Sequence, residues 1–81
     1  MRQDNRLPRV LHALLHLSDM KDPATSEQLA GMLNTNAAVV RRTMAGLRDQ
    51  GILTSIKGHG GGWQLARPLE KITLAEIYQA L

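Results

Sequence analysis

Glycine is concentrated in one short stretch of this 81-residue chain, and that stretch limits the fold more than any other feature. Four of the seven glycines lie within residues 58–62, inside the sequence SIKGHGGGWQLAR. Because glycine loses the most backbone entropy on folding, such a cluster is tolerated where the chain turns sharply or approaches another group closely. The flanking runs ILTSI and WQLAR have the composition of strands. The stretch therefore predicts a β-hairpin with a basic, glycine-rich tip at residues 57–62.

The sequence before the hairpin predicts three helices. The segment RLPRVLHALLHL has apolar residues at helical spacing, and in KDPATSEQLAGML the residues Thr25 and Gln28 have the spacing of a capping box. Asn36 can cap a third helix, AAVVRRTMAGLRDQ, which Gly51 ends. The second and third helices are separated by a few residues, as in a helix-turn-helix. The expected apolar face of the first helix consists of Leu7, Val10, Leu11, Leu14 and Leu15.

The order of these elements predicts the fold class. After the hairpin, Thr73 and Glu76 form a second capping box that starts a fourth helix. Three helices, a hairpin and a helix make a winged helix-turn-helix, a mainly α fold with a small β-hairpin, in a single domain. No capping residue ends the last helix at Leu81, so we expect the natural chain to continue. The predicted bounds are 1–81 for the domain, about 25–50 for the helix-turn-helix, about 52–67 for the wing hairpin and 73 for the start of the last helix.

Composition and charge narrow the function classes. The chain has no cysteine, which excludes disulfides, thiolate metal sites and cysteine nucleophiles within these residues. It also has no phosphate-binding loop and no acid–base pair, so it is not expected to be an enzyme. No secretory or membrane signal is visible, and a cytoplasmic location is expected. Between Asn36 and Arg67, five basic residues stand against Asp49 alone, a charge of +4 compared with +3 for the whole chain. A polyanion is the expected partner.

The hairpin and the segment after it carry a more specific pattern. The run SIKGHGGGWQLAR followed by ITLAEIYQAL resembles the Rrf-two family of bacterial transcription regulators, in which a wing of the form S-x-basic-G-x-x-G-G-aromatic-x-L-A precedes I-T-L and a long helix. The segment LNTNAAVVRR is similar to the YwnA-like branch of that family. The positions that match the wing and the I-T-L segment are Ser55, Lys57, Gly58, Gly61, Gly62, Trp63, Leu65, Ala66, Ile72, Thr73 and Leu74.

This resemblance implies a homodimeric regulator that binds double-stranded DNA. Because the chain has no cysteine to hold an iron–sulfur cluster, no cofactor is expected in these residues. The third helix would enter the major groove and the wing would reach the flanking minor groove or backbone. The dimer, expected to be a repressor, would bind a palindromic operator. In relatives that bind an iron–sulfur cluster, the ligating cysteines lie beyond the wing helix. Gly60 stands where relatives often carry a second basic residue. The predicted DNA-binding residues are Thr35, Asn36, Ala38, Val39, Arg41, Arg42, Lys57, His59 and Gly60.

The third helix has an exposed face that suits a DNA groove. A helical wheel directs Val40, Met44 and Leu47 to the core, while Arg42, Ala38 and Ala45 point away from it. Arg42 is predicted to read a base, and Arg41 a base or a phosphate. Gly46 costs about 1 kcal/mol relative to alanine inside a helix. It is interpreted as a position where the helix lies close to the groove floor.

Plainer interpretations stay open beside these. Exposed arginines are usually only solvated, a glycine-rich hairpin is usually only a turn, and His59 can touch DNA or only tolerate the turn. His12 and His16, four residues apart on the first helix, offer two metal ligands, but no third is evident and no metal site is predicted. Trp63 is expected to pack at the base of the wing. The alternative function is a winged helix that makes only protein contacts, because a fold does not fix a function.

Overall fold

The fold consists of four helices and one two-stranded hairpin. A computed structural model describes residues 6–58 and 61–81 of the chain. The last helix follows a single 3₁₀ turn, Leu69–Lys71, which the sequence did not predict. Four helices with an antiparallel hairpin confirm the predicted winged helix-turn-helix fold. In chain order the helices and strands are α1 (Arg6–Asp19), α2 (Ser26–Leu33), α3 (Ala37–Asp49), β1 (Leu53–Ile56), β2 (Gly62–Leu65) and α4 (Leu74–Ala80).

Short-range caps set the turn between α2 and α3. The Thr25 hydroxyl accepts from the Gln28 N–H at 3.0 Å, and Gln28 Oε1 accepts from the Thr25 N–H at 2.8 Å, which forms the predicted capping box. After α2, Asn34 adopts a left-handed φ of 56° that reverses the chain. Asn36 Oδ1 then accepts from the Val39 N–H at 3.0 Å and starts α3. The orientation of α3 relative to α2 is thus determined within residues 34–36.

One apolar core joins the helices to the hairpin. The face of α1 that is buried runs at helical spacing through Val10, Ala13, Leu14 and Leu17. The prediction that Leu15 belongs to this face is wrong, because the buried stripe turns away from Leu15 and leaves 57% of it exposed. The other buried apolar residues are Ala24, Leu29, Ala30, Val40, Met44, Leu47, Ile52, Leu53, Trp63 and Ile77.

Close approach of the backbone to itself explains two of the clustered glycines. Gly62 has a φ of 150°, and a Cβ on it would collide with the carbonyl of Ala24. A Cβ on Gly61 would likewise collide with the carbonyl of Ile56 at the opposite side of the hairpin. These two glycines are therefore required by contacts inside the protein, as the sequence predicted for a close approach.

Trp63 connects the hairpin to the helix-turn-helix. Its backbone pairs with Ala24 through N–H to carbonyl bonds of 3.0 and 2.7 Å, so the loop before α2 adds a short bridge to β2. Its indole Nε1 donates to the Ser26 hydroxyl at 3.0 Å inside the core. Ser26 is the one buried polar residue among those that the structure describes. Trp63 is buried, in agreement with its predicted packing role. The base of the wing is thereby attached to the start of α2.

The interpretation of Gly46 as a DNA-facing position is wrong. A Cβ on Gly46 would stand 2.7 Å from the backbone oxygen of Ala80, at the end of α4. Ala45, which was expected to point away from the core, is half-buried and packs against it. This side of α3 therefore faces α4, and glycine at position 46 allows the two helices to approach each other.

We expect Gly46→Ala to destabilise the domain even though alanine favours helix. The added methyl group would force α4 away from α3, and overpacking costs about 1 to 3 kcal/mol, against a helix-propensity gain of about 1 kcal/mol. Gly31, in α2, is the matched control because nothing lies within 4 Å of its Cβ position. Gly31→Ala should raise the free energy of unfolding, measured by urea denaturation. Equal stabilisation by both substitutions would show that α4 does not pack closely on Gly46.

Candidate nucleic-acid interface

The outward face of α3 is small and basic. Ala38, Arg41 and Arg42 are exposed, while Val40, Met44 and Leu47 on the other side are buried. The first turn of α3 contains no acidic residue, so the positive end of the helix dipole is not neutralised there. An exposed helix face with short side chains between arginines can lie in the major groove of DNA.

The arginines of α3 differ in their partners. Arg41 lies 3.7 Å from the Glu27 carboxylate of α2, an exposed pair of little energetic weight. Arg48 lies 3.4 Å from Asp49, with its guanidinium 5.9 Å from the centre of the Trp63 ring. Among the described residues, no carboxylate lies within ion-pair distance of Arg42. Arg42 is thus the arginine of this helix that is best placed to bind an external group.

Arg67 does not belong to the basic surface, although its charge was counted there from the sequence. Its guanidinium lies 2.9 Å from Glu76 and also donates to the carbonyls of Gly51 and Lys71, at 3.3 and 3.0 Å. These contacts join the end of α3, the 3₁₀ turn and α4. The role of Arg67 is therefore structural, and its charge is neutralised within the domain.

Two arginines of α1, which the sequence did not suggest, lie beside α3. Arg6 lines a cleft of about 320 Å³ together with Val39, Arg42 and Thr43 of α3, and the end of α4 closes one side of it at Ala80 and Leu81. Arg9 lines a neighbouring narrow cleft with Val39 and Thr43. The first turn of α1, like that of α3, has no acidic residue. Acidic and basic residues are equally numerous in the sequence around these two arginines, so the sequence shows no basic segment there. The basic surface becomes continuous only because α1 packs beside α3.

The remaining predicted site residues fall into four groups. Asn36 caps α3, and Thr35 sits in the turn with its N–H bonded to the Ala30 carbonyl at 3.0 Å. Val39 is half-buried between α1 and α3, so at most part of its side chain is accessible. Lys57 is exposed directly after β1, at the start of the hairpin tip. His59 and Gly60 lie outside the described residues.

Hydrogen bonds lower the pKa of Glu76. The backbone N–H of Thr73 donates to its carboxylate at 2.8 Å, and the Arg67 guanidinium adds a second bond and a positive charge. Both favour the ionised form over the protonated one. Because the folded-state pKa lies below the unfolded-state pKa, this carboxylate stabilises the fold above the unfolded-state pKa and loses that effect as the pH falls through the folded-state pKa.

We expect Glu76→Gln to reduce the acid sensitivity of the domain. Urea denaturation from pH 7 down to pH 3 should show the wild-type protein losing its advantage over the variant as the pH falls. Asp49→Asn is a control, because its pair with Arg48 is exposed. A constant difference between wild type and Glu76→Gln over the whole range would contradict the assigned ionisation.

The part of the chain that the structure describes has neither a cluster of metal ligands nor a membrane-spanning helix. No three histidine, aspartate or glutamate side chains within residues 6–58 and 61–81 are grouped so that they could hold a metal ion. No helix in the same part of the chain is long and apolar enough to span a membrane.

Comparison with known proteins identifies the class and the family. The fold and the basic face of α3 are those of a helix-turn-helix regulator, and the sequence from 4 to 81 matches the Rrf2 (Rrf-two) family, described as "Iron-dependent Transcriptional regulator". The chain belongs to the Rrf2 family. It is 37% identical over 78 residues to YwnA and 31% identical over 83 residues to YwgB, both of Bacillus subtilis (strain 168), whose names place them among HTH-type transcriptional regulators. The family prediction is confirmed.

Solved structures show the same fold at low sequence identity. A structure of "T. potens IscR" superposes with a TM-score of 0.85, and that of CymR, "the Global Cysteine Regulator of B. subtilis", with 0.86. Both are 22% identical and cover the whole of this chain, which spans 61% and 64% of theirs. The match to YwnA includes 96% of this chain and 57% of YwnA. The match to YwgB includes 100% of this chain and 53% of YwgB. The chain thus spans little more than half of those relatives.

The family description mentions iron, but the residues of this chain do not fit an iron centre. The 81 residues include no cysteine, and no group of three other ligands is found in the part of the chain that the structure describes.

Proposed function

We propose that this chain is the DNA-binding part of a cytoplasmic bacterial transcription repressor. The observation that carries the proposal is the continuous basic surface formed by the exposed face of α3 and the first turns of α1. Arg42 shares a cleft with Arg6, Arg9 lines the neighbouring cleft, and Arg41 is exposed on the same helix as Arg42. A surface of this charge attracts the phosphate backbone, and a helix at its centre can read base edges.

Each residue of this surface has a proposed role. Arg42 donates two hydrogen bonds to a guanine edge, whereas Arg41 contacts a base or a phosphate. Arg6 and Arg9 contact phosphates on one flank of the groove, and Lys57 contacts the backbone or minor groove through the wing. Ala38 and Val39 supply apolar contacts to bases, while Thr35 and Asn36 lie at the start of α3, where backbone N–H groups favour a phosphate. His59 and Gly60, in the wing, complete the predicted set. No cofactor held by these residues takes part in binding.

We propose that the protein acts as a homodimer, and a two-fold symmetric dimer requires a palindromic operator. An apolar groove between α1, the 3₁₀ turn and α4 supports this, since two of its lining residues, Leu15 and Leu74, are more than half exposed. Apolar patches of this kind mark protein contact sites. Two-fold symmetry would place two copies of α3 in half-sites about one helical turn apart.

Selection of bound duplexes from a random DNA pool tests the proposal. The protein in its full natural length is used, and bound sequences are read after several rounds. Enrichment of a palindrome whose half-sites lie about one helical turn apart, bound more weakly as salt rises, is the expected result. Sedimentation of the complex should show two chains for each duplex. Absence of enrichment together with weak binding at low salt would favour the alternative, a winged helix that makes only protein contacts.

A further inference from the structure

Two histidines on the exposed side of α1 point their ring nitrogens at each other. The Nε2 atoms of His12 and His16 lie 2.9 Å apart, and the ring centres are 4.5 Å apart. The side chains lie at one shallow cleft on the surface of α1, which Leu15 and Asp19 also line. The basic surface beside α3 does not use these histidines.

The contact between the two rings implies an available lone pair. A nitrogen–nitrogen hydrogen bond of this length needs one donor and one acceptor, so at least one Nε2 carries no proton. Water and ions can reach both Nε2 atoms, because His12 is exposed and His16 is half-exposed. When the donor ring carries its proton on Nδ1 instead, both Nε2 lone pairs are free and the two neutral imidazoles can share a metal ion.

The separation of the two nitrogens matches a particular coordination geometry. Bonds from a metal ion to imidazole nitrogen are about 2.0 to 2.1 Å long. Two such bonds at a right angle place the nitrogens about 2.9 Å apart, whereas a tetrahedral angle places them about 3.3 Å apart. The pair in α1 has the right-angle spacing. Square-planar and tetragonal sites of this kind are typical of Cu²⁺ and Ni²⁺, and Cu²⁺ binds nitrogen ligands more tightly than the other divalent ions of its row.

We propose that His12 and His16 form a two-imidazole site for a late divalent transition metal, with Cu²⁺ the tightest. The sequence argued against a metal site because no third ligand was evident, and within the described residues none joins the pair as a preformed group. Water completes the coordination of an exposed ion of this kind, and the Asp19 carboxylate in the same cleft offsets part of its charge. The two ligands span one turn of α1, so the bound ion favours the helical form of the chain.

Calorimetric titration of the full-length, tag-free protein with CuCl₂, NiCl₂, ZnCl₂ and MgCl₂ tests this site. Cu²⁺ should bind with one ion per chain, Ni²⁺ and Zn²⁺ more weakly, and Mg²⁺ not at all. The Cu²⁺ electron paramagnetic resonance spectrum should show two equivalent imidazole nitrogens. His12→Gln and His16→Gln should each weaken Cu²⁺ binding about a hundredfold, because the second ligand no longer acts at a high effective concentration.

Control variants separate this site from other copper ligands. His59→Gln removes the third histidine of the chain and should leave the affinity for Cu²⁺ and the spectrum unchanged. Circular dichroism of the His12→Gln/His16→Gln variant should match the wild type without metal, and addition of Cu²⁺ should raise the melting temperature of the wild type alone. Equal Cu²⁺ affinity of the wild type and the double variant, or a spectrum lost only in His59→Gln, would overturn the proposal.

Discussion

Replacement of Arg42 by alanine is expected to reduce binding to the selected operator by roughly 5- to 150-fold for each half-site. That range corresponds to the loss of about 1 to 3 kcal/mol when two hydrogen bonds to a guanine are removed. Affinity for unrelated DNA should fall much less, since only one charge of the basic surface is lost. Fluorescence anisotropy with the operator and with a shuffled duplex measures both effects.

Two further variants show whether Arg42 reads a base. Arg42→Lys keeps the charge but cannot form the paired bonds, so it should lose most of the discrimination while retaining affinity for shuffled DNA. Arg48→Ala serves as the control on the same helix, because Arg48 is directed to Asp49 and the Trp63 ring. An equal loss of affinity for both duplexes in Arg42→Ala would assign Arg42 to the phosphate backbone.

The largest expected effect on stability belongs to Trp63. Truncation of a buried tryptophan to alanine costs about 3 to 5 kcal/mol. A domain of this size has a total stability of roughly 4 to 12 kcal/mol, so Trp63→Ala should remove between about a quarter and the whole of it. Loss of the ring also breaks the link between β2 and the start of α2, because the indole donates to Ser26. Urea denaturation followed by circular dichroism measures the loss, as the chain has no other tryptophan for fluorescence.

A milder pair of variants tests the hydrogen bond by itself. Trp63→Phe keeps an aromatic ring in the core but leaves the buried Ser26 hydroxyl without its donor, at a cost of about 1 to 3 kcal/mol. Ser26→Ala removes the other partner, and the double variant closes a thermodynamic cycle. The coupling energy of that cycle should be clearly different from zero. Additive effects, or a Trp63→Ala variant as stable as the wild type, would show that Trp63 does not connect the wing to the core.

The basic surface could be predicted from the sequence only in part. Arg41 and Arg42 stood out because they follow a capped helix start in a helix-turn-helix pattern. The contribution of Arg6 and Arg9 could not be predicted, since they are more than thirty positions from Arg42 and are balanced in the sequence by nearby acidic residues. Arg67 illustrates the opposite case, because its charge in the sequence is cancelled in the fold by Glu76.

Local interactions are what the sequence determined by itself. The capping boxes at Thr25 and Thr73, the Asn36 cap and the hairpin each depend on groups a few positions apart, so their spacing in the chain is sufficient to predict them. The tertiary structure alone decided which side of α1 is buried, which helix Gly46 approaches and where the charges of Arg6, Arg9 and Arg67 lie. These features depend on contacts between distant segments, and the packing that selects among them is a property of the assembled core.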